Sequence, residues 1–320
     1  MGKTSIQWTD MVWNPTTSCT KISPGCLNCY AATLDKRFHE TWTGEPHVPW
    51  TVAAQRKAAA GIAGFSPVTL HPDRLDAPLH WAKPRRIFID SMSDLFHEAV
   101  PDEFIDRVFA VMASAPQHSF QLLSKRPQRM LEYLTLEARE KIVKKQNNIE
   151  FGAQGWGQWR WPLPNLWLGV SVENQRYADE RIPMLAQVPA AVRFISAEPL
   201  LEAVDLDRFR WQCAHCRHVH PSRNPCNWDD CKCAQFEAQM PQWVIVGGES
   251  GPGARPMVIG WMRDIVRQCH AAGVAVFCKQ LGSNPTNREG VPHPVRDSKG
   301  GDMSEFPIDL RVREFPRTLV

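Results

Sequence analysis

The sequence has no apolar stretch approaching the roughly 18 residues that a membrane-crossing helix needs. Its opening, Met1-Gly2-Lys3-Thr4-Ser5-Ile6, has no apolar signal core, and Ile6 stands where a myristoylation motif takes Ser or Thr. A cytoplasmic protein with no membrane partner is expected. Nor is one sign of charge in surplus: 37 Lys and Arg against 34 Asp and Glu leave +3, which neither demands nor excludes nucleic acid as a partner. There is no internal repeat and no low-complexity tract, so solenoids and fibrous arrays are excluded. The glycine-rich segment 247–253 lacks the Gly-Lys-Ser/Thr ending of a P-loop and the third glycine of a dinucleotide fingerprint. It also lacks the Gly-x-Ser-x-Gly of a nucleophile elbow. Its glycines serve a tight turn, or they let Glu249 and Arg255 grip a polar ligand.

What is there reads as a folded chain. With 43% hydrophobic and 22% charged residues over 320 positions, it can bury a substantial core. Apolar runs recur and end in polar residues. Arg86–Asp90 leads into Ser91-Met92-Ser93-Asp94, followed by a helical pattern from Pro101 to Ala115. Phe120–Leu123 ends at Ser124-Lys125-Arg126, with a helical stretch around Met130 to Val143. Leu166–Val170 ends at Ser171-Val172-Glu173-Asn174, and Val192–Ile195 at Ser196-Ala197-Glu198-Pro199. Trp243–Val246 ends at Gly247-Gly248-Glu249, with a helix from about Ile259 to Ala272, and Val274–Cys278 ends at Lys279-Gln280. A short strand between Ile6 and Trp13 brings the count to about seven, mainly in βα order, so an α/β fold with a parallel sheet is expected.

The polar strand ends favour a TIM-type or partial (β/α) barrel over an open doubly wound sheet, because barrel chemistry gathers at those ends. The first part of the barrel would be residues 1–209, the last part 241–282, and 283–320 a surface-wrapping extension. Residues 146–165, with Trp156, Trp159 and Trp161 among glycines, read as a loop or lid whose tryptophans stack on a ring or pin the loop to the body. Ser, Asp and Asn after a strand are also ordinary turn and cap residues, whereas Glu173, Glu198, Glu249 and Lys279 are not needed for turns. Strand-end position makes Glu198, Glu249 and Lys279 the catalytic candidates, and Ser91, Ser93, Asp94, Ser124, Ser171, Glu173 and Asn174 the cofactor-binding ones.

Ten cysteines in a reducing compartment point to metal ligands or buried thiols rather than disulfides. Cys19, Cys26 and Cys29 form a C-x6-C-x2-C triad directly after the first expected strand, in a loop bent by Pro15, Pro24 and Gly25. Three thiolates suit an iron–sulfur cluster with one iron left open. Zinc with a fourth ligand such as His39, or three buried thiols without metal, are the other readings. Cys213-x2-Cys216, Cys226 and Cys231-x-Cys233 make residues 210–240 a small metal-binding insertion. Zinc on four of those five is its default reading, and a second iron–sulfur cluster the alternative. Lys125, Arg126 and Arg129 near a strand end are candidates for phosphate contact, or a solvated basic face.

A cysteine triad in the loop after the first strand of a βα barrel resembles the radical S-adenosylmethionine superfamily, whose common spacing is C-x3-C-x2-C. Here the first gap is six residues, and Asn28 stands where an aromatic usually precedes the third cysteine, with Tyr30 just after it. WNPTTSCTKISPGCLNCYA, IFIDSMSDLFHE, LGVSVENQ, FISAEPLL and VIVGGESGPGARP together resemble a phage-associated bacterial family of unknown function. The superfamily resemblance implies a [4Fe-4S] cluster on Cys19, Cys26 and Cys29, with S-adenosylmethionine on the fourth iron cleaved to a deoxyadenosyl radical. It implies an electron donor such as flavodoxin or ferredoxin, and the phage association suggests a nucleic acid or modified nucleobase as substrate. Two other function classes compete. One is a zinc-stabilised nucleic-acid-binding or phage accessory protein. The other is a divalent-metal hydrolase using Asp94, Glu198 and Glu249.

Overall fold

A computed structural model describes residues 2–43, 68–135, 161–209, 211–213, 219–220, 236–238 and 240–317. The main sheet has eight strands whose spatial order is their chain order: β1 Gly2–Lys3, β2 Met11–Trp13, β3 Arg86–Ile89, β4 Ser119–Ser124, β5 Leu166–Ser171, β6 Val192–Ala197, β7 Trp243–Gly247 and β8 Ala275–Gln280. β1 pairs antiparallel with β2. The seven strands from β2 onward form the parallel sheet, with register pairs such as Val12 to Phe88 and Ile245 to Phe277. β5 and β7 are buried along their whole length, which is why they read as unbroken apolar runs rather than as an alternation. The order runs from one edge strand to another, so the closed TIM-type barrel is not formed among the described strands. The α/β sheet matches the partial-barrel alternative.

Helices follow most strands: α1 Tyr30–Thr43, α2 Asp102–Ser114, α3 Pro127–Thr135, α4 Gln175–Gln187 and α5 Ile259–Ala272. Two compact units divide the chain, Met1–Gly169 with Val188–Ala191 and Val170–Gln187 with Val192–Val320. In the first, α2 buries Phe104, Ile105, Val108 and Val111, the face its periodicity predicts, plus Phe109 and Met112. The buried Asp106 of α2 accepts from the Tyr133 hydroxyl of α3 at 2.7 Å, which ties the two helices together.

In the second unit Trp243 sits among Phe194, Phe277 and Phe315, and its indole N–H donates to the Glu314 carbonyl at 2.9 Å. The C-terminal extension does more than wrap a surface. Cys278 N–H donates to the Val312 carbonyl and Glu314 N–H to the Val276 carbonyl, both at 2.9 Å, so the extension covers the backbone of edge strand β8. α5 ends as its sequence predicts, with Gly273 left-handed at φ 68 and donating back into the last turn.

The Gly247-Gly248 turn after β7 is a close-packing device. A Cβ on Gly248 would run into the Leu281 carbonyl, which is backbone and cannot swing aside. Gly248→Ala is therefore expected to cost about 1–3 kcal/mol, as overpacking does. Chemical denaturation checks this, and an unchanged midpoint would show that the turn has room to relax.

The inserted piece between β6 and β7 contributes Trp211–Cys213, Val219–His220 and Phe236–Ala238 as a small antiparallel sheet with the first of these central. The ligand set expected there lies outside the described residues: Cys216, Cys226, Cys231 and Cys233 altogether, Cys213 by its side chain. Most of the 146–165 segment lies outside them too, as does the helical pattern beyond Thr135.

Candidate metal centre

The cysteine loop leaves the end of β2 and is steered by backbone contacts before any cysteine is reached. Thr16 N–H donates to the Asp90 carboxylate at 3.1 Å, just past the end of β3. Ser18 then takes a left-handed conformation at φ 67, a costly choice for a residue with a side chain. It is held there by its hydroxyl donating to the buried Asp35 at 2.8 Å, and by Ser93 Oγ donating to its carbonyl at 2.6 Å. Pro24–Cys26 forms a single 3₁₀ turn, closed by Leu27 N–H to the Pro24 carbonyl at 3.1 Å. Lys21 Nζ reaches across to the Leu27 carbonyl at 2.8 Å. Cys29 stands immediately before α1, so the positive end of that helix faces the loop. All three cysteines are half-buried and in no disulfide.

The first of them is gripped by an arginine. Arg126, buried at the N-terminal side of α3, donates from Nη1 to Cys19 Sγ at 3.6 Å and to Asp94 at 3.2 Å. Its Nε lies against Glu98 at 3.1 Å, and Nη2 donates to Thr20 Oγ1 at 2.6 Å. Asp94 is itself saturated. It also accepts from Ser124 Oγ at 2.8 Å, Lys125 N–H at 3.0 Å and Phe96 N–H at 3.1 Å. His97 Nδ1 accepts from Ala99 N–H at 3.0 Å, which leaves Nε2 as the donor to Thr20 Oγ1 at 2.8 Å. Burial, with Arg126 beside it, pushes the His97 pKa down to about 4, so its imidazole is neutral at neutral pH.

The thiols differ in their surroundings. Burial outweighs the Arg126 charge at Cys19 and pushes its thiol up to about 12. At Cys26 burial also acts upward. It is overcome by the Lys125 charge and by hydrogen bonds from Ser23 and the backbone at Ile22 and Ser23, so the thiol ends below its ordinary value. Such donors around sulfur are what an anionic sulfur centre needs.

The cofactor candidates Ser91, Ser93, Asp94 and Ser124 belong to this unit; Ser91 and Ser93 meet the cysteine loop directly, Asp94 and Ser124 through Arg126. Ser91 Oγ donates to Asn14 at 3.0 Å, and its carbonyl accepts from Tyr30 at 2.7 Å. The remaining candidates lie in the second unit. Glu173 is fully buried against Arg181 at 3.1 Å, and Arg181 also donates to the Ser171 carbonyl at 2.8 Å. Asn174 Oδ1 accepts from Tyr177 N–H at 3.1 Å and opens α4 as a cap. Glu198 pairs with Lys279 at 3.0 Å and accepts from Ser196 Oγ at 3.3 Å. Glu249 takes the backbone and side chain of Arg255 together, so the two residues read as grippers of a ligand grip each other.

Two of the basic residues read as phosphate contacts or a solvated face turn to the protein itself. Arg126 serves Asp94 and Glu98, while Arg129 donates to the His97 and Val100 carbonyls and to Asp102. Arg126, Thr20, His97 and Glu98 were not expected at the site. The one available signal was the DLFHE run after β3, which packs acids and a histidine behind a strand end.

Chemically, three unpaired thiols on one loop, with N–H donors and cations around two of them, fit an anionic iron–sulfur centre in donor type and chain position. Among the described residues no group of three or more His, Cys, Asp or Glu stands close enough to hold a metal ion as placed. The family model described as "Protein of unknown function (DUF5131)" matches residues 3–307. No curated protein and no solved structure matches. Among the described residues no helix is long and apolar enough to cross a membrane.

Proposed function

The chain belongs to the DUF5131 family, and because that membership assigns no activity, we propose from the site itself that the protein is a radical S-adenosylmethionine-type iron–sulfur enzyme. The observation that carries this reading is the cysteine loop leaving the first parallel strand with Cys19 held by Arg126 at the ends of β3 and β4. Cys19, Cys26 and Cys29 would hold a [4Fe-4S] cluster. When bound, the cluster supplies one electron to cleave the sulfonium C–S bond of S-adenosylmethionine into methionine and a deoxyadenosyl radical.

The chain's own residues prepare for that chemistry. The left-handed Ser18 makes the turn that precedes Cys19, Lys125 favours negative charge at Cys26, and α1 presents its positive end behind Cys29. Ser91 and Ser93 are the positions we assign to S-adenosylmethionine, with Asp94 and Ser124 positioning that loop. Glu198 and Lys279 stay the acid–base candidates on the second unit. A phage-associated setting, flavodoxin or ferredoxin as donor and a nucleic acid or modified nucleobase as substrate rest on the sequence resemblance, whereas a cytoplasmic setting rests on the sequence's lack of an apolar signal core or span and a zinc-holding insertion at 210–240 on its cysteine spacing.

The test is iron and sulfide analysis of anaerobically purified protein, with EPR of the dithionite-reduced sample before and after adding S-adenosylmethionine. A cluster signal that changes on the addition, and iron lost in Cys26→Ala, is the expected result. A silent, zinc-only sample would overturn the reading in favour of a zinc-stabilised nucleic-acid-binding protein.

A further inference from the structure

Arg126 is a costly residue to keep where it is. A guanidinium 6% exposed gives up its hydration, and a structural tie between two loops could be made by apolar packing instead. Its donors are spread over four partners from two places: Cys19 and Thr20 on the cysteine loop, Asp94 and Glu98 after β3. We propose that Arg126 is a positioning residue that sets the reduction potential of the centre on Cys19, with Asp94 as the counter-charge that moderates it. The proposal rests on the iron–sulfur reading above.

The physical reason is charge. One-electron reduction by dithionite makes a cluster one unit more negative, and an N–H donor and cation at a ligand sulfur stabilise that form more than the oxidised one. The guanidinium is close to Cys19 Sγ at 3.6 Å and shielded from water, so its field is little screened. Asp94, on the same Nη1 at 3.2 Å, offsets part of that field. The two residues should therefore act in opposite directions on one measurable quantity, which a purely structural tie would not do.

The experiment is an EPR-monitored redox titration of the reconstituted full-length protein without S-adenosylmethionine, comparing wild type, Arg126→Gln, Arg126→Lys and Asp94→Asn at equal iron content. Arg126→Gln should make reduction roughly tenfold less favourable, about 59 mV more negative for one electron. Arg126→Lys, which keeps the charge, should return most of that shift, and Asp94→Asn should move the potential the other way. If Arg126→Gln does not fold, Asp94→Asn still decides by the sign of its shift. A wild-type cluster whose potential is untouched by these variants overturns this proposal alone. A wild type that takes up no cluster overturns it together with the function on which it rests.

Discussion

Replacing Arg181 by methionine is expected to destabilise the protein by about 3–5 kcal/mol, because it takes the guanidinium away from a carboxylate that has no exposure to water. Glu173 is 0% exposed and its partner guanidinium nitrogen lies at 3.1 Å. The same arginine donates to the Ser171 carbonyl at 2.8 Å and lies 4.1 Å over the Tyr177 ring, so it joins the end of β5 to α4. At about 2–4 °C per kcal/mol for a large domain, the melting temperature should drop by roughly 10 °C. The double variant Glu173→Gln with Arg181→Met removes the buried charge as well and should recover a large share of the loss. A double variant as unstable as Arg181→Met alone would mean that the arginine stem, and not the charge pair, carries the stability.

That pair also shows what a sequence can and cannot convey about this molecule. Strands β5 and β7 were legible because burial on both faces leaves only apolar side chains that suit them. α5 was legible at both ends, since its apolar stripe stops at a glycine that takes the left-handed cap. α1 was not. It follows a cysteine loop, is mostly polar, and carries no acidic residue in its first turn to announce a start.

The site was legible in its cysteines and strand-end hydroxyls but not in its charges. An arginine's destination is decided by partners distant in sequence: Asp94 is 32 residues before Arg126 and Glu98 is 28. Nothing local distinguishes such a residue from one on a solvated basic face. Glu249 and Arg255 were read as grippers of a polar ligand or as neighbours of a tight turn, and spacing could not say that they would bind each other. The strand-end rule locates polar side chains without assigning their roles, because a carboxylate that braces a loop and one that meets a ligand occupy the same kind of position.

Asp90→Asn should make stability less sensitive to pH, with the largest gain on the alkaline side. Asp90 is 2% exposed, accepts from Thr16 N–H at 3.1 Å through Oδ1, and leaves Oδ2 without a hydrogen bond. Burial pushes its carboxyl up to about 8, against the pull of the Thr16 bonds, with Asp94 adding to the rise. In the unfolded chain an Asp titrates near about 3.9, so between roughly pH 4 and 8 the folded protein holds a proton that the unfolded chain has released. Stability must then fall as pH rises across that window, by about 1.4 kcal/mol per pH unit for this one group. Asparagine keeps the acceptor for Thr16, stays neutral at every pH, and tolerates the left-handed φ of 54 that this position adopts. The stability difference between variant and wild type, from urea unfolding at pH 5, 6, 7 and 8, should therefore grow in favour of the variant at about that slope. Parallel stability curves would mean that Asp90 is already ionised in the folded protein. In that case the turn into the cysteine loop is held by a charged carboxylate rather than a neutral one.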